Sequence, residues 1–201
     1  MTEAVTVSRT TKETDISVCL LQKGPGCDSG KDGVRVDTLL PFFDHMLSAM
    51  SFHGGFGLTL SARGDIEADY HHLVEDTGLV LGEAFHELLE KNGAVRRFGH
   101  AVIPMDDALS EAVIDVAERP CLVYQAAFPQ EFCGNFPVAL FKEFFYAFTQ
   151  KARINLHLLC RYGDNSHHMA EALFKAFGKA LCAAYTPADG SREDMSTKGA
   201  L

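Results

Sequence analysis

The sequence predicts an α+β protein of two fused, pseudo-symmetric halves, each a β-rich sheet with two helices, the sheets packed on a helical layer. Three observations carry this. Segments of alternating polarity recur in each half, as strands with one buried face require. Two long runs carry apolar stripes at helical spacing, Leu73, Leu79, Leu81, Phe85, Leu88 and Leu89 in one and Leu173, Phe174, Phe177 and Leu181 in the other. Each run opens on one pattern: His71-His72-Leu73-Val74-Glu75 returns 96 residues later as His167-His168-Met169-Ala170-Glu171. We expect one compact unit with repeats over about 1–95 and 96–186 and a tail over 187–201.

In chain order, Ala4 to Thr10 and Thr14 to Leu21 alternate as strands, and a Gly/Asp-rich loop follows at Gly24 to Gly33. Pro41 starts a short helix through Phe42-Phe43-Asp44-His45-Met46-Leu47, which Gly54-Gly55 stops before a strand at Phe56 to Ala62. The first long helix runs from His72 to Lys91 and closes at Asn92-Gly93. In the second half, strands are expected over Ala108 to Val116 and Cys121 to Ala127, a helix from Pro137 through Gln150, a strand over Ile154 to Arg161, and a long helix over His167 to Tyr185. The halves align beyond the motif. Leu60 to Asp65 pairs with Leu159 to Asp164, and Phe43-Asp44-His45 with Phe141-Lys142-Glu143.

Composition excludes several function classes. A net charge of -9 leaves no basic stripe to neutralise phosphates, so no nucleic-acid partner is expected. Six cysteines stand without CxxC or secreted-framework spacing and read as free thiols of a reducing compartment. The N-terminus has neither a basic nor an apolar leader region, and no apolar run reaches the ~18 residues a membrane span needs. A cytoplasmic protein without membrane association is expected.

The doubled motif is metal-ligand chemistry. On a helix the first His and the Glu lie on one face, whereas the second His is turned about 100° away. One copy therefore cannot aim all three side chains at one ion, but two copies facing each other across a pseudo-twofold could complete each other's sites. His45 and its repeat partner Glu143 add one donor per half. Eight nitrogen and oxygen donors, His45, His71, His72, Glu75, Glu143, His167, His168 and Glu171, suit manganese, iron or zinc better than a soft metal. His53, His86, His100 and His157 lack repeat-paired acidic neighbours and read as structural or surface residues.

At this point the sequence resembles the imidazoleglycerol-phosphate dehydratase family. The matching segments include Arg9 to Thr14, Pro41 to Leu47, Asp69 to His72 with Glu75-Asp76, Arg97-Phe98-Gly99, Pro104 to Leu109, Arg119-Pro120, Asn165 to His168 with Glu171, Phe174 to Phe177, and Ser196-Thr197-Lys198-Gly199. They stand in family order over nearly the full length. The resemblance implies a fold like the second domain of ribosomal protein S5, and a lyase with two Mn2+ per chain that converts imidazole glycerol phosphate to imidazole acetol phosphate in histidine biosynthesis. It implies one metal held by His45, His72, His167 and Glu171, and another by His71, Glu75 and His168 with a further ligand at position 143. Family members often carry histidine there, and this chain carries Glu143. Glu13 is the implied base, and Arg97, Arg119, Lys175, Ser196, Thr197 and Lys198 are implied around the substrate, chiefly its phosphate. The resemblance further implies a homo-oligomer of 24 subunits built from trimers, with sites shared between chains.

The chemistry explains the need for two metals. A substrate imidazole bound through both nitrogens can push out the adjacent hydroxyl, giving a diazafulvene-like intermediate from which a base removes a carbon-bound proton. Two rivals are a metal-dependent hydrolase, which leaves Glu13 and the Ser196 to Lys198 segment without a role, and a noncatalytic module whose ions staple the repeats together. The acidic residues Glu111, Asp115 and Glu118 read as surface variation, and the tail is expected to order over bound substrate.

Overall fold

Strict alternation along β2 (Thr14–Gln22) buries Thr14, Ile16, Val18, Leu20 and Gln22, which makes one face of its sheet core. In the computed structural model, which describes residues 4–22 and 33–199, this strand pairs with β1 (Val5–Thr10) and β4 (Phe56–Gly64), and β3 (Val34–Asp37) completes the order β1-β2-β4-β3. The second sheet repeats the plan as β5-β6-β10-β7, from β5 (Phe98–Met105), β6 (Ala108–Asp115), β7 (Cys121–Gln125) and β10 (Asn155–Tyr162). In both sheets the final strand of the order, β3 or β7, pairs parallel and the others antiparallel, so the pseudo-symmetry extends to strand direction. A small hairpin, β8 (Phe132–Cys133) and β9 (Phe136–Pro137), is inserted in the second half.

The helices join the halves. Helices α1 (Pro41–Gly54) and α2 (His71–Asn92) lie against the first sheet, α3 (Leu140–Ala152) and α4 (Ser166–Ala184) contact the second, and the principal helix pairs are α1 with α4 and α2 with α3. Pro at the first position opens α1, and Gly55, left-handed at φ 70°, closes it by donating its amide to Phe52 and Ser51 carbonyls. Both helix crossings are set by glycine. A methyl group at Gly178 of α4 would stand 2.1 Å from the Met50 carbonyl oxygen of α1, and one at Gly82 of α2 would stand 2.4 Å from the Phe148 carbonyl oxygen of α3. The equivalent close approaches let the backbones meet while Phe85, Phe144, Phe145, Phe148, Phe174 and Phe177 fill the shared core.

Several expectations need correction. β3 and β5 were not expected: β3 alternates, but over only four residues, and β5 is an edge strand with an irregular burial pattern and Pro104 near its end. They supply the missing members of each sheet, and β6 and β7 correspond to β2 and β3. Leu79 is only half-buried, unlike the rest of its stripe. The Gly/Asp-rich loop lies, apart from Gly33, outside the described residues.

Candidate active site

Helix α4 begins at its motif because the Asn165 side chain accepts the His167 and His168 amides at 2.9 and 3.4 Å. His167 and Glu171, one turn apart, then meet at 3.2 Å between Nε2 and Oε2. The α1–α4 crossing brings His45 Nε2 to 3.3 Å from the same Glu171 oxygen. These three donor atoms all lie within 4.8 Å of one another. The other Glu171 oxygen takes Lys175 Nζ at 2.7 Å. Burial alone would raise the Glu171 carboxyl, but Lys175 and His45 outweigh it and hold the group below its ordinary value. A cleft of about 420 Å³, lined in part by Phe42, Tyr70 and Phe136, opens onto His45.

In the first copy of the motif Asp69, the repeat counterpart of Asn165, accepts the His71 amide, although Tyr70 stands at the start of α2 without a side-chain cap. His71 Nε2 and Glu75 Oε2 lie 3.4 Å apart. Glu143, the counterpart of His45, is half-buried on α3, and its side chain makes no hydrogen bond or ion pair among the described residues. Within one chain this copy gathers two donors rather than three.

The second histidines do not join the His45 cluster in this chain. His72 Nδ1 stands 3.2 Å from Asp65 and 3.8 Å from Glu13; His168 Nδ1 stands 2.6 Å from Asp107, and its Nε2 3.5 Å from Asp106. Glu13 sits in the β1–β2 turn and Asp106-Asp107 in the β5–β6 turn, so equivalent hairpins each present acid to a second histidine. Hydrogen bonding to Asp65 raises the His72 pKa, and hydrogen bonding to Asp107 raises that of His168. Asp107 itself, bonded to His168 and to the Asp164 and Asn165 amides, is lowered to about 2. The Glu13 turn is braced from below. Thr11 Oγ1 accepts the Glu13 and Thr14 amides at 3.1 and 2.9 Å, and Asp76 of α2 accepts from Thr14 Oγ1 and Arg9.

A separate cavity of about 530 Å³ is lined by Arg97, Arg119 and the tail residues Met195, Ser196, Thr197 and Lys198 among others. Arg97, held at φ 73°, spends one N–H of each nitrogen on Asp115 and the Met195 carbonyl, leaving two of its five. Arg119 and Lys198 form no ion pair among the described residues, so the cavity has unspent positive charge. Lys175 stands elsewhere, against Glu171, so the structure places it with the candidate metal ligands rather than with this cavity. The acidic trio is not loose decoration: Glu111 pairs with Arg161 and His100, Asp115 with Arg97, and Glu118 with Arg192, Arg153 and His86. The tail is already seated, with a 3-10 turn at Arg192–Met195 and the Ala188 amide bonded to the Ala94 carbonyl at 3.0 Å. Sequence reasoning gave no role to Asp65, Asp76 or Arg192, although the aligned pairs Gly64-Asp65 and Gly163-Asp164 offered a signal for the first and the family-like segment Glu75-Asp76 one for the second.

Two imidazoles and a carboxylate converging between the halves of a duplicated α+β scaffold, with a cationic cavity on the same chain, mark a metal-dependent enzyme for a small anionic substrate. The imidazoleglycerol-phosphate dehydratase family model matches residues 38–181. Curated relatives of that name include one from Gluconobacter oxydans, 46% identical over 96% of this chain and 95% of that protein, and one from Geobacter metallireducens, 45% identical over the whole of both. Among solved structures, the imidazoleglycerol-phosphate dehydratase of Staphylococcus aureus superposes with a TM-score of 0.80 at 33% identity, covering 92% of this chain and 100% of that one. The Pyrococcus furiosus enzyme, solved in complex with (S)-C348, gives 0.80 at 36% identity, covering 96% and 99%. The chain belongs to the imidazoleglycerol-phosphate dehydratase family.

Proposed function

We propose that this protein dehydrates imidazole glycerol phosphate to imidazole acetol phosphate in histidine biosynthesis, using two Mn2+ per chain. The observation that carries the metal centre is the convergence of His45, His167 and Glu171 from two helices. Two ligands at right angles, each ~2.1 Å from an ion, stand ~3.0 Å apart; the His–Glu separations of 3.3 and 3.2 Å approach that value. Nitrogen and carboxylate donors without thiolate fit a divalent ion such as manganese. When bound, the ions supply Lewis acidity and a template for the substrate's imidazole nitrogens.

One ion would take His45, His72, His167 and Glu171, and the other His71, Glu75, Glu143 and His168. Since His72 and His168 face their own hairpins in this chain, neighbouring copies would supply them, which supports a homo-oligomer; 24 subunits built from trimers is what the family resemblance implies. A cytoplasmic location fits the free cysteines among the described residues. Arg119, Lys198, Ser196 and Thr197 hold the phosphate; Arg97 contributes its remaining N–H groups while fixing the tail. Lys175 keeps Glu171 ionised and oriented toward the histidines.

Glu13 takes the carbon-bound proton. Its turn is fixed by Thr11, Thr14 and Asp76, and the carboxylate stands beside His72 with 58% of its side chain exposed, open to a substrate from outside the chain. Glu13→Gln keeps the shape and loses the base, so turnover should fall about 10²–10⁴-fold with metal content unchanged. Retention of more than roughly a tenth of wild-type kcat would exclude Glu13 as the base and turn attention to Asp106 and Asp107.

A further inference from the structure

We propose that Glu118 and Arg192 form a clamp that positions both walls of the anion cavity. This deepens the dehydratase reading and rests on it for the identity of the substrate. Glu118 immediately precedes Arg119, and its backbone is left-handed at φ 56°, a conformation costly for a non-glycine residue unless its surroundings fix it. The surroundings do so. The Glu118 carboxylate, 17% exposed, accepts from Arg192 at 2.9 Å and Arg153 at 3.5 Å, with His86 Nδ1 at 3.6 Å.

Arg192 in turn reaches Glu90 on α2, so one guanidinium ties the tail to both the long helix and the turn before Arg119. Three residues on, Met195 gives its carbonyl to Arg97 and its sulfur to the Val95 amide. Ser196, Thr197 and Lys198 then face Arg97 and Arg119 across the cavity. Without the clamp the tail keeps the Arg97–Met195 contact and its neutral ones, and no other ion pair links it to the Arg119 turn among the described residues. A partly buried guanidinium that gives one nitrogen to each of two carboxylates fixes geometry better than an exposed pair does. Glu118 and Arg192 are therefore positioning residues: neither lines the cavity, yet both set the spacing of the groups that do.

The test uses Glu118→Gln, Arg192→Gln and the double variant, with Arg153→Gln as control because Arg153 touches Glu118 but not the tail. Each clamp variant should raise KM for imidazole glycerol phosphate about tenfold with kcat nearly unchanged, and the double variant should be no worse than the worse single one, as for residues acting through one contact. Amide hydrogen exchange over residues 187–199 should accelerate in all three and stay unchanged in Arg153→Gln. The dissociation constant for inorganic phosphate should rise in step. Multiplying effects, unchanged tail exchange, or a fall in kcat at constant KM would overturn the clamp. If wild-type protein does not turn the substrate over, the dehydratase reading fails, and exchange with phosphate binding still decides the clamp.

Discussion

Gly178→Ala tests whether the helix crossing builds the metal cluster. The added methyl would lie 2.1 Å from the Met50 carbonyl oxygen, whereas carbon–oxygen contacts begin near ~3.3 Å, so α1 and α4 must part by about 1 Å. Helix propensity favours alanine by about 1 kcal/mol, while overpacking costs about 1–3 kcal/mol. The obstacle here is backbone rather than a flexible side chain, which places the cost at the upper end. The net loss should be about 1–2 kcal/mol, lowering Tm of the metal-free protein by roughly 2–8 °C for a chain of this size. The same displacement carries His45 away from Glu171, now 3.3 Å apart, so manganese affinity by isothermal titration should fall at least about tenfold, as when a supporting contact of a metal site is lost. A variant as stable as wild type with unchanged manganese affinity would refute the claim that this crossing sets the ligand geometry.

Elemental analysis of gently purified protein should find about two manganese ions per chain, since eight donors divide into two sites of four; one ion or none removes the two-site reading. His72→Ala and His168→Ala should each weaken both assembly and activity, and a chelator should lower the light-scattering mass of wild type; a chelated protein of unchanged mass contradicts sites shared between copies. Lys198→Ala should mainly raise KM, as loss of a phosphate contact would, and a selective loss of kcat would place Lys198 elsewhere in the mechanism. In metal-free protein the depressed Asp107 carboxyl stabilises fully above the ordinary carboxylate range and loses that contribution as pH falls through about 2. The raised His168 acts oppositely, stabilising below the ordinary histidine value of ~6.5 and losing that contribution as pH rises through its folded value. Melting curves across pH should therefore peak at mildly acidic pH, and Asp107→Asn should flatten both limbs; an unchanged profile would dissociate the pair from stability.

Much of the architecture was legible because it repeats. The two His-His-x-x-Glu copies, Asp69 and Asn165 before them, and glycines 82 and 178 stand in register, so sequence period and fold symmetry carry the same information. Two edge strands were not, because β3 alternates over only four residues and β5 buries neither face regularly. At the site, His45, His167 and Glu171 were legible from residue type and spacing, and their meeting follows from the α1–α4 crossing. The role of Asp76, and Arg192 altogether, were illegible for a different reason. Each acts across a long sequence separation, Asp76 on Thr14 and Arg192 on Glu118, and lone charged residues carry no periodic signal. Glu118 read as surface because its neighbours in sequence are not its partners in space.

The most direct measurement of the central claim is product formation by the manganese-loaded protein. Incubated with imidazole glycerol phosphate, it should yield imidazole acetol phosphate and lose that activity on chelation, regaining it when manganese is restored. Turnover unaffected by metal removal, or hydrolysis of the phosphate ester with no keto product, would contradict the account.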